Sequence, residues 1–302
     1  MECLPVWNLC NNKCLMCSNP RGYDGVGSYS LDSLKARVDK FDKGETDIYL
    51  TGGEPSLYPR LFELLGYIRG RFPRARIVID TNGRMFAYPD FAGKCASFGN
   101  MEFQVSICGH SAAAHDAVTL TPGSFEQTVA GIRNLLPPEN GGAAVELRFV
   151  LTGMSLRNME KVYRFALKNL KGIKALVFIF LEMEGMAGVN KARVGLRYSG
   201  AAAAVTKFFS SAGESPFELK LYHFPLCVLP AGLWKYAWRT LPGKEILFPA
   251  GCRRCGVKKY CLGVHGDYLK FYGDGEFSPV ANPPRIIAGR NPCRPVLDAI
   301  WD

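Results

Sequence analysis

The chain has 302 residues with a formal net charge of +10, and 48% of its residues are hydrophobic. This length is enough for one large α/β domain, alone or with a smaller one, and no apolar run approaches the ~18 residues of a membrane span. The basic balance favours an anionic partner, yet Lys and Arg are scattered without a long tract, so nucleic acid is the less favoured partner.

Eleven cysteines are the main compositional signal. The first ten residues, MECLPVWNLC, lack the basic and apolar regions of a signal peptide, which predicts a cytoplasmic protein. Because thiols stay reduced in that compartment, the cysteines indicate metal binding or catalysis rather than disulfides.

Strand-like and helix-like segments alternate through the first two-thirds of the chain. Runs rich in Val, Ile, Leu, Phe and Tyr are typical of parallel strands covered on both faces. They predict six strands, at residues 4–9, 47–52, 76–83, 101–108, 144–153 and 173–182. Helices are predicted between them, at residues 30–41, 59–72, 122–136 and 158–170. The repeat predicts a parallel sheet, open or curled towards a barrel.

Two helix starts have clear capping signals. Ser30 is predicted to cap the first helix, and Ser124 with Gln127 forms the pattern of a capping box. After residue 212 the helical periodicity fades, while Pro, Gly, Trp and Tyr become frequent. We therefore predict a core domain at residues 1–212 and a smaller, cysteine-rich domain at residues 213–302.

Three cysteines follow the first strand in the stretch WNLCNNKCLMC, at positions 10, 14 and 17. Three thiolates on a short loop bind three irons of a [4Fe–4S] cluster and leave the fourth iron open. Asn11 and Asn12 tolerate the tight turns that such a loop needs. The alternative is a zinc site completed by a distant ligand such as Cys3.

Two glycines and several polar residues also stand where the next strands end. Because the carboxyl ends of parallel strands share one edge, these residues are expected near the cysteines. They are Gly52, Gly53, Glu54, Thr81, Asn82, Ser106 and Arg148. A zinc site does not explain this series of glycines, a carboxylate, a hydroxyl and a guanidinium.

The segments CNNKCLMC and GGEP resemble the two signature motifs of the radical S-adenosylmethionine (SAM) superfamily. The resemblance covers residues 1–185 and implies a partial (βα)6 barrel of the TIM type. It implies that Cys10, Cys14 and Cys17 hold a [4Fe–4S] cluster whose open iron binds SAM. Reductive cleavage of SAM would then give a 5′-deoxyadenosyl radical that abstracts a substrate hydrogen.

The resemblance also suggests which residues bind SAM. The turn Gly52, Gly53, Glu54, Pro55 would hold the amino group, with Glu54 forming a charge-assisted hydrogen bond. Arg148 is the candidate for the carboxylate, by a bidentate contact. Ser106 and Asn82 are candidates for the ribose hydroxyls. An electron donor of the flavodoxin or ferredoxin type is expected as a partner.

Four further cysteines form a second group, at positions 227, 252, 255 and 261. Their spacing fits either structural zinc or a closed iron–sulfur cluster. The resemblance favours one auxiliary [4Fe–4S] cluster, as in the twitch or SPASM-like domains of related enzymes. Cys293 is the alternative to Cys227 as fourth ligand.

The remaining candidates have structural explanations. Cys3, Cys95 and Cys108 are predicted to be buried apolar cysteines. His110 and His115, four residues apart, are predicted to be hydrogen-bonded loop histidines rather than metal ligands.

The stretch HDAVTLTPGSFEQT resembles radical SAM members with an extra cluster domain, so modification of a peptide is the favoured activity. The alternatives are the same radical chemistry on a small metabolite or a nucleotide, or a non-catalytic iron–sulfur or zinc module that binds RNA. The GGEP turn disfavours the last, because a binding module has no need to clamp the amino group of SAM.

Overall fold

The computed structural model describes residues 2–19, 29–136 and 143–301. In these residues eight parallel strands form one sheet, and strands adjacent in sequence are adjacent in the sheet. Strands β1 to β8 are Glu2–Trp7, Asp47–Gly52, Arg76–Thr81, Met101–Ser106, Ala144–Leu151, Ala175–Phe180, Glu218–Tyr222 and Ala237–Trp238. Such a sheet with helical crossovers is that of a partial TIM-type barrel, so the predicted α/β fold is confirmed.

The sheet has two strands more than the six predicted. Strands β7 and β8 pair in parallel with each other, and β7 pairs with β6. Both lie within residues 213–302, where the sequence predicts a separate domain, and the division of the chain at residue 212 stays a prediction. The periodicity did not indicate them because they are short and lie in a Pro- and Gly-rich region.

Helices pack against the outer face of the sheet, where their apolar stripes join one large hydrophobic cluster with the outward residues of the strands. In chain order, α1 to α10 are Leu31–Val38, Leu61–Arg71, Pro89–Ala96, Ala112–Thr119, Ser124–Leu135, Met159–Asn169, Gly185–Val189, Lys191–Val194, Tyr198–Ser211 and Gly266–Tyr272. None of these described helices is both long and apolar enough to cross a membrane.

One predicted helix cap is confirmed and one is wrong. Ser30 caps α1, since its side chain accepts a hydrogen bond from the backbone of Ser33 at 3.2 Å. Ser124 is instead the first residue of α5, and the capping group is the carboxylate of Asp116 in α4. This carboxylate accepts hydrogen bonds from the backbone N–H groups of Gly123 and Phe125 at 2.8 and 2.9 Å. A cap from another helix leaves no local sequence signal.

Charged side chains line the inner face of the sheet. Arg76 on β3 lies 2.7 Å from Asp47 and 2.9 Å from Glu102. Lys220 on β7 lies 2.7 Å from Glu146 on β5, and these two side chains are 7% and 1% exposed. Buried charges are tolerated because each has an opposite charge within hydrogen-bonding distance. The interior of the barrel therefore carries charged groups, and opposite charges on different strands are matched.

The C-terminal segment contributes to the same core as the sheet. Beyond β8, the short strands Ile246–Leu247 and Val264–His265 (β9, β10) pair antiparallel, as do Arg285–Ala288 and Val296–Ile300 (β11, β12). The aromatic ring of Tyr198 in α9 stacks on Phe180 with centroids 3.7 Å apart, and its backbone N–H donates to the hydroxyl of Tyr268 at 3.2 Å. Tyr268 belongs to the main hydrophobic cluster.

Gly131 of α5 provides a test of this packing. A Cβ there would overlap the carbonyl oxygen of Gly83, at the end of β3. We expect Gly131→Ala to lower the free energy of unfolding by about 1–3 kcal/mol through overpacking, measured by denaturant titration followed by circular dichroism. The matched control is Gly93→Ala in α3, where a Cβ meets nothing within 4 Å and helix propensity should add up to ~1 kcal/mol. Equal effects of the two substitutions would contradict the packing.

Candidate active site

The cysteine loop, residues 10–17, follows β1 at the carboxyl edge of the sheet. Two backbone hydrogen bonds of 2.9 Å attach its middle to the end of α4, from Lys13 to Thr119 and from Leu15 to Val118. The loop is therefore fixed by the backbone and not by its thiols alone.

The end of the cysteine loop is held by α7. The carbonyl oxygen of Cys17 accepts hydrogen bonds from the backbone N–H groups of Met186 and Ala187, at 2.9 and 3.3 Å. The side chain of Asn190 donates to the carbonyl oxygen of Leu15 at 3.0 Å. The segment that follows β6 thus supports the loop in addition to α4.

The three thiols of the loop lie within electrostatic reach of one another. Burial raises the pKa of Cys10 to about 11, and the carboxylate of Glu54 adds to the increase. Burial also raises the pKa of Cys14, with further contributions from the thiols of Cys108, Cys10 and Cys17. Bound iron would reverse this penalty, because a metal stabilises thiolates. Three converging thiols therefore suit a metal cluster better than free cysteines.

The GGEP turn, residues 52–55, packs directly on the start of the cysteine loop. The backbone N–H of Gly53 donates to the carbonyl oxygen of Trp7 at 2.5 Å, and that of Glu54 donates to Leu9 at 2.9 Å. Gly52 has a φ of +130°, and a Cβ on it would overlap the Trp7 carbonyl oxygen. This approach of two backbones requires glycine, which explains the first half of the motif.

Glu54 is 1% exposed, and its carboxylate joins the ends of β2 and β3. Its Oε1 atom accepts hydrogen bonds from the Ser56 backbone at 3.0 Å, the Ser56 hydroxyl at 2.5 Å and the Thr81 hydroxyl at 2.7 Å. Its Oε2 atom accepts one, from the backbone of Asn82 at 2.7 Å. Burial raises the pKa of Glu54, although these donors oppose the shift. Pro55, also buried, begins the short 3-10 turn that follows.

The segment after β3 supports the cysteine loop through two side chains. The amide of Asn82 donates to the side-chain oxygen of Asn11 at 2.7 Å and lies 3.7 Å from the sulfur of Cys10. Arg84 donates to the carbonyl oxygen of Asn11 and, at 2.9 Å, to the side-chain oxygen of Asn12. Arg84 was not singled out from the sequence, although it directly follows the polar pair that was.

Ser106 and Arg148 stand opposite each other on β4 and β5, facing the inside of the barrel. The guanidinium of Arg148 lies 3.3 Å from Asp80 and 3.4 Å from Glu146, and its side chain is 18% exposed. Burial disfavours its charge, but the two carboxylates outweigh burial and raise its pKa. Arg148 thus points into the barrel, and its partners Asp80 and Glu146 were not indicated by the sequence.

The second cysteine group surrounds one small cavity. Four cysteines from two separate stretches line it: Cys227, Cys252, Cys255 and Cys261. Cys293 is not part of this lining and instead bonds to Arg239 through its backbone. Burial, followed by the charges of the other three thiols, raises the pKa of Cys227 to about 12. The sulfur of Cys261 accepts backbone hydrogen bonds from Leu226 and Gly263, both at 3.4 Å.

The spacing of the sulfurs bears on the metal. With Zn–S bonds of about 2.3 Å, the four sulfurs of a tetrahedral zinc site lie within about 4 Å of one another. Among the described residues, the group of three or more ligand atoms found within 4.8 Å of one another is Glu184, His265 and Asp267, and it contains no cysteine. The cysteine sulfurs are thus spaced more widely than zinc requires. A four-iron cluster accommodates such spacing because each sulfur binds a different iron.

Glu184 and His265 connect the two cysteine groups. Glu184 precedes α7, whose first N–H groups bind Cys17, and His265 follows Cys261 by four residues. The Nδ1 atom of His265 accepts a hydrogen bond from the backbone of Asp267 at 3.3 Å, so a neutral ring carries its proton on Nε2. That Nε2 atom lies 3.5 Å from the Glu184 carboxylate. Sequence reasoning missed this pair because the two residues are 81 positions apart.

The remaining candidate residues have structural roles. Cys95 and Cys108 are buried as predicted, at 0% and 3% exposed. Cys3 is exposed, so its predicted burial is wrong. Side chains alternate along β1, and Cys3 lies on the face opposite the buried residues Leu4 and Val6. His115 is buried, and its Nδ1 atom accepts the predicted hydrogen bond, from the Cys108 backbone at 3.1 Å, but the residue lies in α4 and not in a loop.

The sequence between β1 and α6 matches a family model. Residues 4–166, more than half of the chain, match that of the radical SAM superfamily. This chain belongs to the radical SAM superfamily. The resemblance found in the cysteine and GGEP motifs is therefore confirmed, and membership implies SAM and a [4Fe–4S] cluster as cofactors.

Several curated proteins are similar to between half and about 60% of this radical SAM protein. It is 31% identical over 189 residues to the AdoMet-dependent heme synthase of Methanosarcina barkeri, covering 60% of this chain and 51% of the relative. It is 29% identical over 165 residues to the mycofactocin maturase MftC of Mycobacterium tuberculosis, covering 53% and 40%. The aligned regions thus span about half of these relatives' length or less.

Solved structures show the same fold at low sequence identity. Streptococcus suis SuiB bound to S-adenosylmethionine superposes with a TM-score of 0.56 and 14% identity, covering 84% of this chain and 56% of SuiB. The protein anSMEcpe with bound AdoMet superposes with a TM-score of 0.52 and 18% identity, covering 72% and 63%. These likenesses support the barrel fold.

Arg84 provides a test of how the cysteine loop is held. Replacing it by Met removes two charge-assisted hydrogen bonds to the loop, each worth about 1.5–3 kcal/mol. We expect Arg84→Met to lower the iron retained per chain by up to half and to speed bleaching in air, measured by iron analysis and absorbance. Arg133→Met, an exposed cation of α5, is the control and should keep its iron. If both variants kept their iron equally, Arg84 would not support the loop.

Proposed function

We propose that this chain is a radical SAM enzyme in which Cys10, Cys14 and Cys17 hold a [4Fe–4S] cluster with one iron open to SAM. When bound, this cluster supplies the electron that cleaves SAM reductively, and the 5′-deoxyadenosyl radical so formed abstracts a substrate hydrogen. The observation that carries the proposal is the packing of the GGEP turn on a three-thiol loop at the carboxyl edge of the sheet.

The contacts of Glu54 support its proposed role at the amino group of SAM. An ionised carboxylate has about four acceptor positions, two on each oxygen. Oε1 has no position left, because three donors share its two positions, whereas Oε2 accepts one hydrogen bond and keeps a position for an ammonium N–H. Gly52, Gly53 and Pro55 place the backbone of the turn beside it.

The roles proposed for the other SAM-binding residues differ in their support. Arg148 uses Nε and Nη1 for its carboxylate partners, which leaves Nη2 for the carboxylate of SAM and favours a single-nitrogen contact over the bidentate one expected from the sequence. Ser106 faces the same side of the sheet and is proposed to contact the ribose. The amide of Asn82 already donates to Asn11 and accepts from Arg84, so its contacts favour positioning the cysteine loop over binding the ribose.

We further propose one auxiliary [4Fe–4S] cluster bound by Cys227, Cys252, Cys255 and Cys261. Their shared cavity and the spacing of their sulfurs favour a cluster over zinc. The N–H groups that donate to the sulfur of Cys261 would stabilise its thiolate, as hydrogen bonds to the sulfurs of iron–sulfur clusters do. The position of Cys293 outside the cavity favours Cys227 as fourth ligand.

For the substrate, we propose a peptide. Among the similar proteins, MftC is named a maturase. The structure of SuiB bound to its precursor peptide SuiA superposes on this chain with a TM-score of 0.55. The second candidate is a small metabolite of the tetrapyrrole class, because the similar proteins also include heme synthases. Both candidates use the same radical chemistry and differ in what enters the barrel.

Anaerobic reconstitution tests the two clusters. We expect about eight irons per chain, and formation of 5′-deoxyadenosine when SAM and dithionite are added, because two cubes bind and one cleaves SAM. Cys14→Ala should lose about half of the iron and reduce SAM cleavage at least 100-fold. Cys255→Ala should keep SAM cleavage and lose product. Colourless protein with bound zinc and no cleavage would refute the proposal.

Two further cysteines serve as matched controls for the second cluster. Cys227→Ala should lose iron from that cluster, seen as a changed electron paramagnetic resonance signal, whereas Cys293→Ala should not. If Cys293→Ala lost that iron and Cys227→Ala kept it, Cys293 would be the fourth ligand in place of Cys227. To separate the substrate classes, 5′-deoxyadenosine formation is measured with candidate precursor peptides and with iron porphyrins. The true substrate should raise the rate several-fold.

A further inference from the structure

The positive charge of this chain is concentrated beside the second cysteine group. Residues 239–261 hold six cationic side chains and one carboxylate, which accounts for half of the net charge of +10 in 23 residues. The charges interleave with the cysteines in the order GCRRCGVKKYC. This concentration was not evident from composition alone, where the cations of the whole chain look scattered.

These cations are exposed and lack acidic partners. We define the basic rim as Arg239, Arg253, Arg254, Lys258 and Lys259, all of which are exposed. In the part of the chain that the structure describes, none of the five forms an ion pair, in contrast to the paired charges inside the barrel. An unpaired cluster of like charges costs folding free energy, so it is typical of a surface that meets an anionic partner.

The basic rim also lies directly over two of the cysteines. Arg239, Lys258 and Lys259 line an open cleft of about 490 Å³ together with Cys255 and Cys261. The same two cysteines line the cavity enclosed by the second group. A metal cluster held there would therefore reach the surface at the floor of this cleft.

An aromatic side chain completes the surface. Phe248 lines both the cleft and the cysteine cavity, and the residue is 41% exposed. The ammonium group of Lys258 lies 5.2 Å from the centre of its ring. A small apolar contact ringed by cations is suited to a weak and transient protein interface, in which electrostatics guides approach and little area is buried.

We propose that the basic rim docks a small acidic electron-carrier protein, of the flavodoxin or ferredoxin type, onto the auxiliary cluster. This rests on the proposed function, because it requires a redox-active cluster at the second cysteine group. The step is the transfer of one electron: the reduced carrier loses it, the oxidised auxiliary cluster gains it and passes it on to the cluster proposed at the cysteine loop, and no bond forms or breaks in the transfer.

The observations favour an electron carrier over a nucleic acid or an acidic peptide. Phosphate backbones bind cations wherever they cluster, with no need for a cofactor beneath them. Here the cations surround the two cysteines that border the surface, and electron transfer is the process that requires such close approach. The cysteine loop, in contrast, carries a single cation, Lys13, between its thiols.

Binding of a purified acidic flavodoxin to the iron-loaded full chain tests the proposal, with the dissociation constant measured by titration calorimetry. We expect Arg253→Glu, Arg254→Glu, Lys258→Glu and Lys259→Glu, combined, to weaken binding at least tenfold at low salt. The control combines Lys40→Glu, Lys43→Glu, Lys168→Glu and Lys171→Glu, which are exposed cations placed before strands β2 and β6. It changes the net charge equally and should change the affinity less than threefold.

Iron analysis shows whether the variant still loads both clusters. If the variant does not load both clusters, the salt dependence of wild-type binding tests the proposal instead. The dissociation constant of the wild type for flavodoxin should rise at least tenfold between about 20 and 300 mM salt. A constant unaffected by salt, or equal loss of affinity in both variants, would overturn the proposal. So would full retention of flavodoxin binding with loss of affinity for an RNA oligonucleotide or an acidic peptide.

Dithionite separates a failure of docking from a failure of the proposed function, because a small reductant needs no docking surface. The rim variant should cleave SAM with dithionite as fast as the wild type and at least tenfold more slowly with reduced flavodoxin. If dithionite gives no cleavage in the wild type, the radical SAM activity itself fails. If both reductants serve the rim variant as well as the wild type, only the docking surface is wrong.

Discussion

The arrangement of the site depends on the contact between the backbone of the GGEP turn and the end of β1. The backbone N–H of Gly53 donates to the carbonyl oxygen of Trp7, and the space between these two backbone segments admits no Cβ on Gly52. This contact sets where the cysteine loop leaves the sheet. Glu54 then fixes the turn to the end of β3 through a carboxylate that is fully buried and fully bonded on one oxygen. A motif usually described by what it binds is here also the junction of three strand ends.

The fold was predictable wherever local pattern and tertiary environment agree. Strands β2 to β6 lie inside the predicted segments because parallel strands covered on both faces leave long apolar runs. Strand β7, Glu218–Tyr222, has no such run, since its inner face carries Lys220 paired with Glu146 from another strand. The cap of α5 was missed for the same kind of reason: Asp116 acts from a neighbouring helix, and only the folded chain brings it there.

The candidate site was predictable in its cysteines and glycines, because their chemistry requires those residue types at fixed spacings. The structure brings the three thiols of the cysteine loop together and gathers four others around one cavity. Supporting residues carry no such signature. Arg84 bonds the cysteine loop across more than 70 positions of sequence, and Glu184 meets His265 across 81. Arginine and glutamate are common surface residues, so their roles emerge only from three-dimensional contacts.

Burial raises the pKa values of thiols in both cysteine groups, but the charged side chains around them differ. Near the cysteine loop, the charges inside the barrel are matched by opposite charges. Around the second group, unpaired cations face solvent beside two of the sulfurs. Glu184 and His265 join the two environments through the segment that holds Cys17. A substitution at that pair would therefore disturb both groups at once, whereas a substitution in the basic rim would leave the buried site intact.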